Sequence, residues 1–366
     1  MDKVGVAIIG SQFVSHIHAE SLSRVPDAKL VAVASRTEAH ARAFAERFHV
    51  ARFFTDYRRV LELPEVNVVL IGVPNDLHAA IVIDCARAGK HVIIEKPFCM
   101  NLDEADRMIS ACRQSRVKLM YAEELCFTPK YVRAKTLIDE GAIGQVYLIK
   151  QSEKHSGPHS DWFWDVDRSG GGVLLDMGCH GIEFARWILG KPPVKSVYAQ
   201  VGTYVHRDRT RGDDNSILIV EFQGGATALI EDSWAKEGGM DDTAEFYGSA
   251  GVIYADVLRG SSLVTFSKAG YGYAVEKAAS TAGWTFTMYE ESWNYGFPQE
   301  LDHFIKCVKY DLEPLETGED GRAVLEILFA AYESAATGAK IQFPYTPRFG
   351  SRPIEAWLKR GEEGVA

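Results

Sequence analysis

Several absences narrow the reading of this 366-residue chain. It has no apolar run of the roughly 20 residues that cross a bilayer, so no membrane association is expected. It has no basic excess: 40 Lys and Arg stand against 50 Asp and Glu, and a formal charge of −10 opposes binding to a phosphate backbone. Nucleic acid is therefore not an expected partner. No CxxC pair or zinc-ligand spacing occurs among Cys85, Cys99, Cys112, Cys126, Cys179 and Cys307. Scattered through apolar and helical segments, these cysteines read as buried thiols of a reducing compartment, and no metal is expected. Internal repeats and low-complexity tracts are missing as well. The opening "MDKVGVAIIG" enters a strand almost at once and leaves no room for a leader peptide, which makes the cytoplasm the expected location.

A further absence is more instructive. In "AIIGSQFVSH" only the first of the three glycines of a dinucleotide-binding turn is present, as Gly10; Gln12 and Ser15 hold the other two positions. Ser15 is a small replacement. Gln12 sets a long side chain where phosphates would pass, although its amide can donate a hydrogen bond to a phosphate oxygen. The helix N-terminus through Phe13 and Val14 offers free N–H groups whatever the side chains. The end of the second strand lacks an acid too: "VAVASRTEAH" presents Ser35 and Arg36, with no carboxylate before Glu38. A hydroxyl beside a guanidinium suits a 2′-phosphate, so NADP is favoured over NAD. The competing reading makes Arg36 a solvated residue at a helix start.

Two patterns divide the chain. Over residues 1–124, continuous apolar runs ("VGVAIIG", "KLVAVAS", "VNVVLIGV", "HVIIEKP", "VKLMYAE") alternate with helical stretches at 17–25, 38–48, 77–88 and 102–115, the last capped by Asn101. Strands apolar on both faces and separated by helices indicate a doubly wound parallel sheet, an α/β Rossmann-type domain. Over residues 125–366, longer alternating strands separated by turn signals read as an antiparallel meander, with helices at 129–140, 174–189, 298–309 and 318–337, hence an α+β domain. The charged tail from Gly350 reads as loosely held or as a clasp on a neighbour.

Five stretches together resemble the glucose-fructose oxidoreductase, inositol dehydrogenase and rhizopine-catabolism (Gfo/Idh/MocA) family. They are "GVPNDLHA", "HVIIEKPFCMNLDEA", "GAIGQVYLI", "GGGVLLDMGCHGIEFARWILG" and "EFYGSAGVI". The resemblance runs in order over most of residues 4–340. It implies an N-terminal Rossmann domain, a C-terminal domain on an open, mostly antiparallel sheet, and homodimers or homotetramers joined through that sheet. It also implies an NAD(P)-dependent dehydrogenase or reductase of sugars, inositols or related polyols. The lysine of the family's EKP motif matches Lys96; the aspartate and histidine of its GGxxxDxGxH motif match Asp176 and His180; its strand-end Pro-Asn matches Pro74 and Asn75. His78 and Glu95 complete the candidate cofactor residues. The chain departs from the family at "AEELCFTP", where relatives carry an arginine. That departure disfavours anionic substrates and offers Glu124 as an acceptor for hydroxyls.

Chemistry supports the carried-over roles. Asp176 and His180 are four residues apart, so a continuous helix would put them on one face. A histidine titrating near neutrality can take a hydroxyl proton as hydride leaves the same carbon. Lys96 lies just past the C-terminal end of a parallel strand, where an ammonium can stabilise a developing alkoxide. Read alone, Lys96 is a surface lysine and Asp176–His180 an ordinary helix pair. Gly178 and Gly181 weigh against the latter, because glycine inside a helix costs about 1 kcal/mol and points to a ligand or backbone that approaches closely. Asn75 either caps the next helix or contacts nicotinamide. Trp162 and Trp164 either pack on a sugar or anchor their loop. Two rival activities remain: a cofactor-retaining glycosidase or epimerase working by transient oxidation, and a non-catalytic dinucleotide-binding regulator.

Overall fold

The computed structural model describes residues 3–258, 263–272, 277–278, 280–287 and 290–360. The chain forms two compact units, residues 1–127 with 296–325, and residues 128–295 with 326–366. Residues 296–325, which the division at 124/125 read from the sequence puts in the second domain, group with the first unit. No helix among the described residues is long and apolar enough to cross a membrane.

The first unit is built on β1 (Val4–Ile9), α1 (Phe13–Leu22), β2 (Ala28–Ala34), α2 (Glu38–Arg47), β3 (Arg52–Phe54), α3 (Arg58–Leu61), β4 (Val68–Ile71), α4 (His78–Arg87), β5 (His91–Ile94), α5 (Leu102–Ser115) and β6 (Leu119–Tyr121). Its six strands run in the order β3-β2-β1-β4-β5-β6, and every pairing is parallel. Every residue of β1 and β4 is buried, as strands covered on both faces require. The strand order reverses at β1, which sets the loop after β1 at the crevice where such sheets bind ligands. Asn101 caps α5 as expected, its Oδ1 accepting from Glu104 N at 2.8 Å. The helix Phe297–Lys309 buries Leu301, Phe304 and Ile305 and packs against α1, and Lys309 reaches Asp27 at 2.5 Å.

The second unit contains α6 (Pro129–Asp139), β7 (Val146–Lys154), α7 (Val166–Ser169), α8 (Val173–Asp176), α9 (Gly178–Ile188), β8 (Val194–Gly202), β9 (Asn215–Phe222), β10 (Thr227–Ser233), β11 (Asp241–Gly248) and β12 (Gly251–Asp256). A hairpin of β13 (Leu263–Ser267) and β14 (Gly283–Thr287) and the short α10 (Glu291–Tyr295) follow. With Phe297–Lys309 as α11, the chain then adds α12 (Gly318–Thr337), β15 (Ile341–Gln342) and α13 (Glu355–Leu358). The main sheet has the order β12-β11-β7-β10-β9-β8-β15. It is mostly antiparallel, but β7 and β10 pair in parallel, so the meander read from the sequence is broken at its centre. One face alternates toward α8 and α9; the other carries the exposed side chains of Tyr198, Ile217 and Tyr254.

The tail corrects its expectation as far as residue 360. Ile354 and Trp357 are buried, and Arg352 pairs with both Asp167 and Glu355. Residues 361–366 lie outside the described residues.

Candidate active site

In the first unit, Gly10 has φ +119°, and a Cβ there would overlap the Gly72 carbonyl. Only glycine lets the chain turn this tightly from β1 into α1. Ser15 is fully buried, its Oγ 2.9 Å from the position a Gly10 Cβ would take and 3.0 Å from that of Gly72. It therefore packs helix to strand as the third glycine of the motif would. Gln12 caps α1 without a side-chain bond to it and turns toward α2, with Nε2 3.4 Å from His40 Nδ1. Its exposed side chain thus leans toward the neighbouring helix. Val14 packs beside Gly72, and Phe13 is partly exposed at the helix start. Ser35 is held by Ser11, hydroxyl to hydroxyl at 2.7 Å, while Arg36 is exposed.

Around the end of β4, Pro74 and Asn75 open a short 3₁₀ turn. Asn75 is buried, and Leu77 rather than Asn75 occupies the cap position of α4, so the capping alternative does not hold there. His78 is fully buried with Nε2 2.9 Å from Val73 O and Nδ1 3.2 Å from Phe98 O. Burial lowers its pKa. Both ring nitrogens face backbone carbonyls, so the cofactor contact expected of His78 gives way to a clip that joins two strand-end loops.

Lys96 follows β5, its peptide bond to Pro97 cis. Glu95, almost buried, takes His18 Nε2 at 2.5 Å on one oxygen and the Lys96 amide at 3.1 Å on the other. Two acids that the sequence reading passed over join this group. Burial pushes the Glu123 carboxyl up to about 8, with Lys96 opposing and Glu95 adding to the rise. Burial likewise holds Glu300 well above the usual carboxylate range, reinforced by Glu124, Glu95 and Glu123. Four carboxyl groups thus lie within electrostatic reach of one another, with Lys96 acting on Glu123, and the two buried deepest keep their protons near neutrality. The available signal was "AEEL", two acids at the end of an apolar strand. Glu124 itself begins a 3₁₀ turn (Glu124–Phe127) and is partly buried.

In the second unit, Asp176 and His180 are 4% and 2% exposed, too enclosed for an ordinary surface pair. They do not share one regular helix. α8 ends at Asp176, Met177 (φ −111°, ψ −35°) breaks the run, and α9 starts at Gly178. Asp176 Oδ2 accepts from Trp234 Nε1 at 3.2 Å, which ties its direction to the end of β10. Asp213 fixes the start of α8: its carbonyl takes Val173 N at 2.9 Å, its carboxylate takes Leu174 N at 2.8 Å, and Tyr332 Oη donates to it at 2.7 Å. Burial nevertheless pushes Asp213 up to about 6, against those donors. The adjoining Asp214 accepts the amides of Tyr204, Val205 and His206. Neither aspartate was singled out from sequence, although a paired "DD" ahead of an alternating strand is the mark of such a cap.

Gly178 and Gly181 face β7 and β10. A Cβ on Gly178 would lie 3.2 Å from Asp232 Oδ2; one on Gly181 would overlap Ile230 and come within 2.6 Å of Gln151 Oε1. The close approach read from the two glycines as that of a ligand or backbone is instead that of side chains: Leu174 of α8, 2.9 Å from the Gly178 Cβ position, together with Asp232, and Ile230 with Gln151 at Gly181. Trp164 is pinned by the Arg209 guanidinium 4.3 Å over its ring and by Trp234 at 5.3 Å, as the loop-anchor reading anticipates. Trp162 stacks on Phe163 with centroids 3.8 Å apart and is partly buried.

Comparison with known proteins agrees with this architecture. Residues 4–123 match the oxidoreductase family with an NAD-binding Rossmann fold, and residues 131–254 match the GFO/IDH/MocA C-terminal domain. Myo-inositol 2-dehydrogenase of Thermotoga maritima is 30% identical over 331 residues, 90% of this chain and 95% of that protein. The scyllo-inositol 2-dehydrogenase (NAD(+)) of Bacillus subtilis is 26% identical over 93% of this chain and 96% of its own. Among solved structures, GenD2 from gentamicin A biosynthesis, in complex with NAD, is similar with a TM-score of 0.89 at 31% identity, covering 94% of this chain and 97% of that one.

Proposed function

The chain belongs to the Gfo/Idh/MocA oxidoreductases, and from that premise we propose that it is an NAD(H)-dependent dehydrogenase of a neutral cyclic polyol or sugar, oxidising CH–OH to a ketone or running the reverse. The observation that carries this reading is the enclosed Asp176–His180 corner, present together with Lys96 at the end of β5 and a Gly10 turn that only a bare backbone fits. The turn suits a pyrophosphate, since it leaves the first-turn amides of α1 unobstructed by a Cβ and no acid stands in that turn.

When bound, the nicotinamide supplies the hydride acceptor or donor. The chain's own residues do the rest. An imidazole nitrogen of His180 takes the hydroxyl proton, Asp176 orients the ring and balances the imidazolium, and Lys96 Nζ stabilises the oxygen as it gains alkoxide character. Glu124 accepts hydrogen bonds from neighbouring hydroxyls, and Trp162 offers a ring face for C–H groups. The two inositol dehydrogenases support a cyclic polyol, and Cys126 at the arginine position of "AEELCFTP" leaves no guanidinium there to hold an anion.

NADP was favoured by Ser35 and Arg36, but the relatives named above carry NAD in their descriptions where they carry a cofactor at all, and the Ser35 hydroxyl is already engaged by Ser11. NAD(H) is therefore the cofactor of this reading. All six cysteines are free and buried, which suits the cytoplasm. The sheet face away from α8 and α9 carries one row of Tyr254, Glu245, Lys150, Leu229, Ile219 and Tyr198 in mutual register, with Tyr254 66% exposed. A patch of this make-up supports a homo-oligomer formed through that face.

The test is calorimetric titration of cofactor-free protein with NAD⁺ and NADP⁺, then an NADH-formation screen over inositols and neutral sugars. Tighter binding of NAD⁺ and turnover of a cyclic polyol are expected. Binding of NADP⁺ alone overturns the cofactor assignment; product without net NADH points to the cofactor-retaining activity; binding of dinucleotide with no product from any polyol points to a regulator.

A further inference from the structure

The inward face of the second unit's sheet carries a row of polar side chains in register. Asp242 on β11 stands opposite Glu153 on β7, Glu153 opposite Asp232 on β10, and Asp232 opposite Ser216 on β9. All four are buried, Asp232 and Asp242 completely. Tyr131 Oη donates to Asp242 at 2.6 Å, closing one end of the row, and Ser216 Oγ donates to Asp232 Oδ2 at 3.0 Å, closing the other. Asp232 Oδ1 has no hydrogen-bond partner. Such a row is costly, because each carboxyl has been taken out of water beside others of its kind.

Asp232 is the member that reaches the candidate site. β10 and the residue after it meet α8 and α9 at three inward positions: Ile230 against Gly181, Asp232 against Gly178, and Trp234 on Asp176. The spacing explains why both glycines are needed. Two strand residues advance about 6.6 Å and three to four helix residues about 5 Å, so Gly178 and Gly181 fall over successive inward side chains of β10.

We propose that Asp232 is a positioning residue for Asp176 and His180: its carboxyl shares with Leu174 the space that Gly178 leaves and, with Trp234, fixes the direction in which Asp176 presents its carboxylate. This inference rests on the dehydrogenase reading above and deepens it. Asp232 performs the task without charge. The charged groups about it include Asp213 ahead of β9, Asp176 on α8, and Glu153 and Lys154 on β7, and Lys154 is already bonded to Glu231 at 2.5 Å. Burial, reinforced by Asp213 and Asp176, holds the Asp232 proton on well above the usual carboxylate range. An un-ionised Asp232 leaves Asp176 as the carboxylate that orients the imidazole. An ionised one would place a second negative charge at the corner, favour the imidazolium and leave less neutral imidazole at His180 to accept the hydroxyl proton.

The experiment compares wild type with Asp232→Ala and Asp232→Asn. It measures kcat and KM against pH for polyol oxidation and NAD⁺ affinity by calorimetry, and it takes wild-type-minus-Asn infrared difference spectra over the carboxylic-acid C=O band. The Ala enzyme is expected to lose about tenfold or more in kcat with NAD⁺ affinity kept within about threefold. The Asn enzyme, uncharged and of the same shape, recovers most of that loss with the acid limb of kcat/KM in place, and the difference spectrum shows a protonated carboxyl at neutral pH. Wild-type kcat in the Ala variant overturns the proposal. So does an acid limb moved down by a full pH unit in the Asn variant, or a difference spectrum without the carboxylic-acid band. Where the Ala variant does not fold, the Asn profile and spectrum decide. A wild type that turns over no polyol defeats the dehydrogenase reading, while the infrared arm still reports on Asp232 by itself.

Discussion

Gly10 and Gly178 each stand beside the start of a helix that carries part of the candidate site, yet they are glycine for different reasons. At Gly10 the backbone itself is unusual, with φ +119° and a carbonyl where a Cβ would sit. At Gly178 the backbone is ordinary helix, and the missing side chain makes room for Leu174 and Asp232. The first glycine lets the backbone make a tight turn, whereas the second lets side chains approach a helix. Sequence alone reports both simply as glycines; only the structure separates a backbone turn from a packing contact.

Lys96→Met makes the sharpest break in that comparison, because it removes turnover from the unit whose loop we propose to hold the dinucleotide. It should lower kcat on the order of 10²- to 10³-fold with NAD⁺ affinity little changed, as steady-state kinetics beside calorimetry will show.

Glu123→Gln probes the buried acids of the same unit. With its folded carboxyl pushed up to about 8, the native state holds this proton more tightly than the unfolded chain, where glutamic acid titrates near 4.3. The stability it contributes is present below that lower value and is lost as pH rises toward the higher one. Denaturant melts at pH 5 and pH 8.5 should therefore show wild type losing on the order of a few kcal/mol relative to the Gln variant between them.

Gly10→Ala should weaken NAD⁺ binding by about tenfold to a hundredfold, the equivalent of roughly 1–3 kcal/mol of backbone strain, without a matching fall in kcat at saturation. Gly178→Ala should do the reverse, costing about tenfold in kcat through overpacking against Leu174 and Asp232 while NAD⁺ affinity holds. If both alanines damage binding alike, the distinction between the two glycines fails. The smallest effect is expected from Gln12→Gly, a change of about twofold or less in NAD⁺ affinity by titration, since the Gln12 side chain already lies against His40.

Much of the first unit was legible because its code is local. Continuous apolar runs and capped helices name a parallel sheet, and Asn101 capped α5 as read. β3 escaped because three residues, Arg52–Phe54, make no periodic signal. In the second unit, alternation showed strands but not their partners: β7 and β10 pair in parallel across 72 residues of intervening chain, from 155 to 226, where adjacency in sequence suggests hairpins. The same limit applies to the site. Lys96, Asp176 and His180 stand in recognisable motifs, whereas Asp213, Asp232, Trp234, Glu123 and Glu300 acquire meaning only through neighbours distant in sequence. "ALIEDSW" did hold a hint, since Asp232 falls in the inward register between Ile230 and Trp234, where a charge does not belong unless it has work or a partner.

The six buried cysteines have a practical consequence. Burial pushes the thiols of Cys85, Cys99, Cys112 and Cys307 upward, so they offer little thiolate to an oxidant or an electrophilic dye. The native chain is therefore a quiet background for labelling. A cysteine introduced on the surface of each unit would be the reactive pair, and a donor and acceptor dye placed there would report whether dinucleotide or polyol changes the distance between the two halves during turnover.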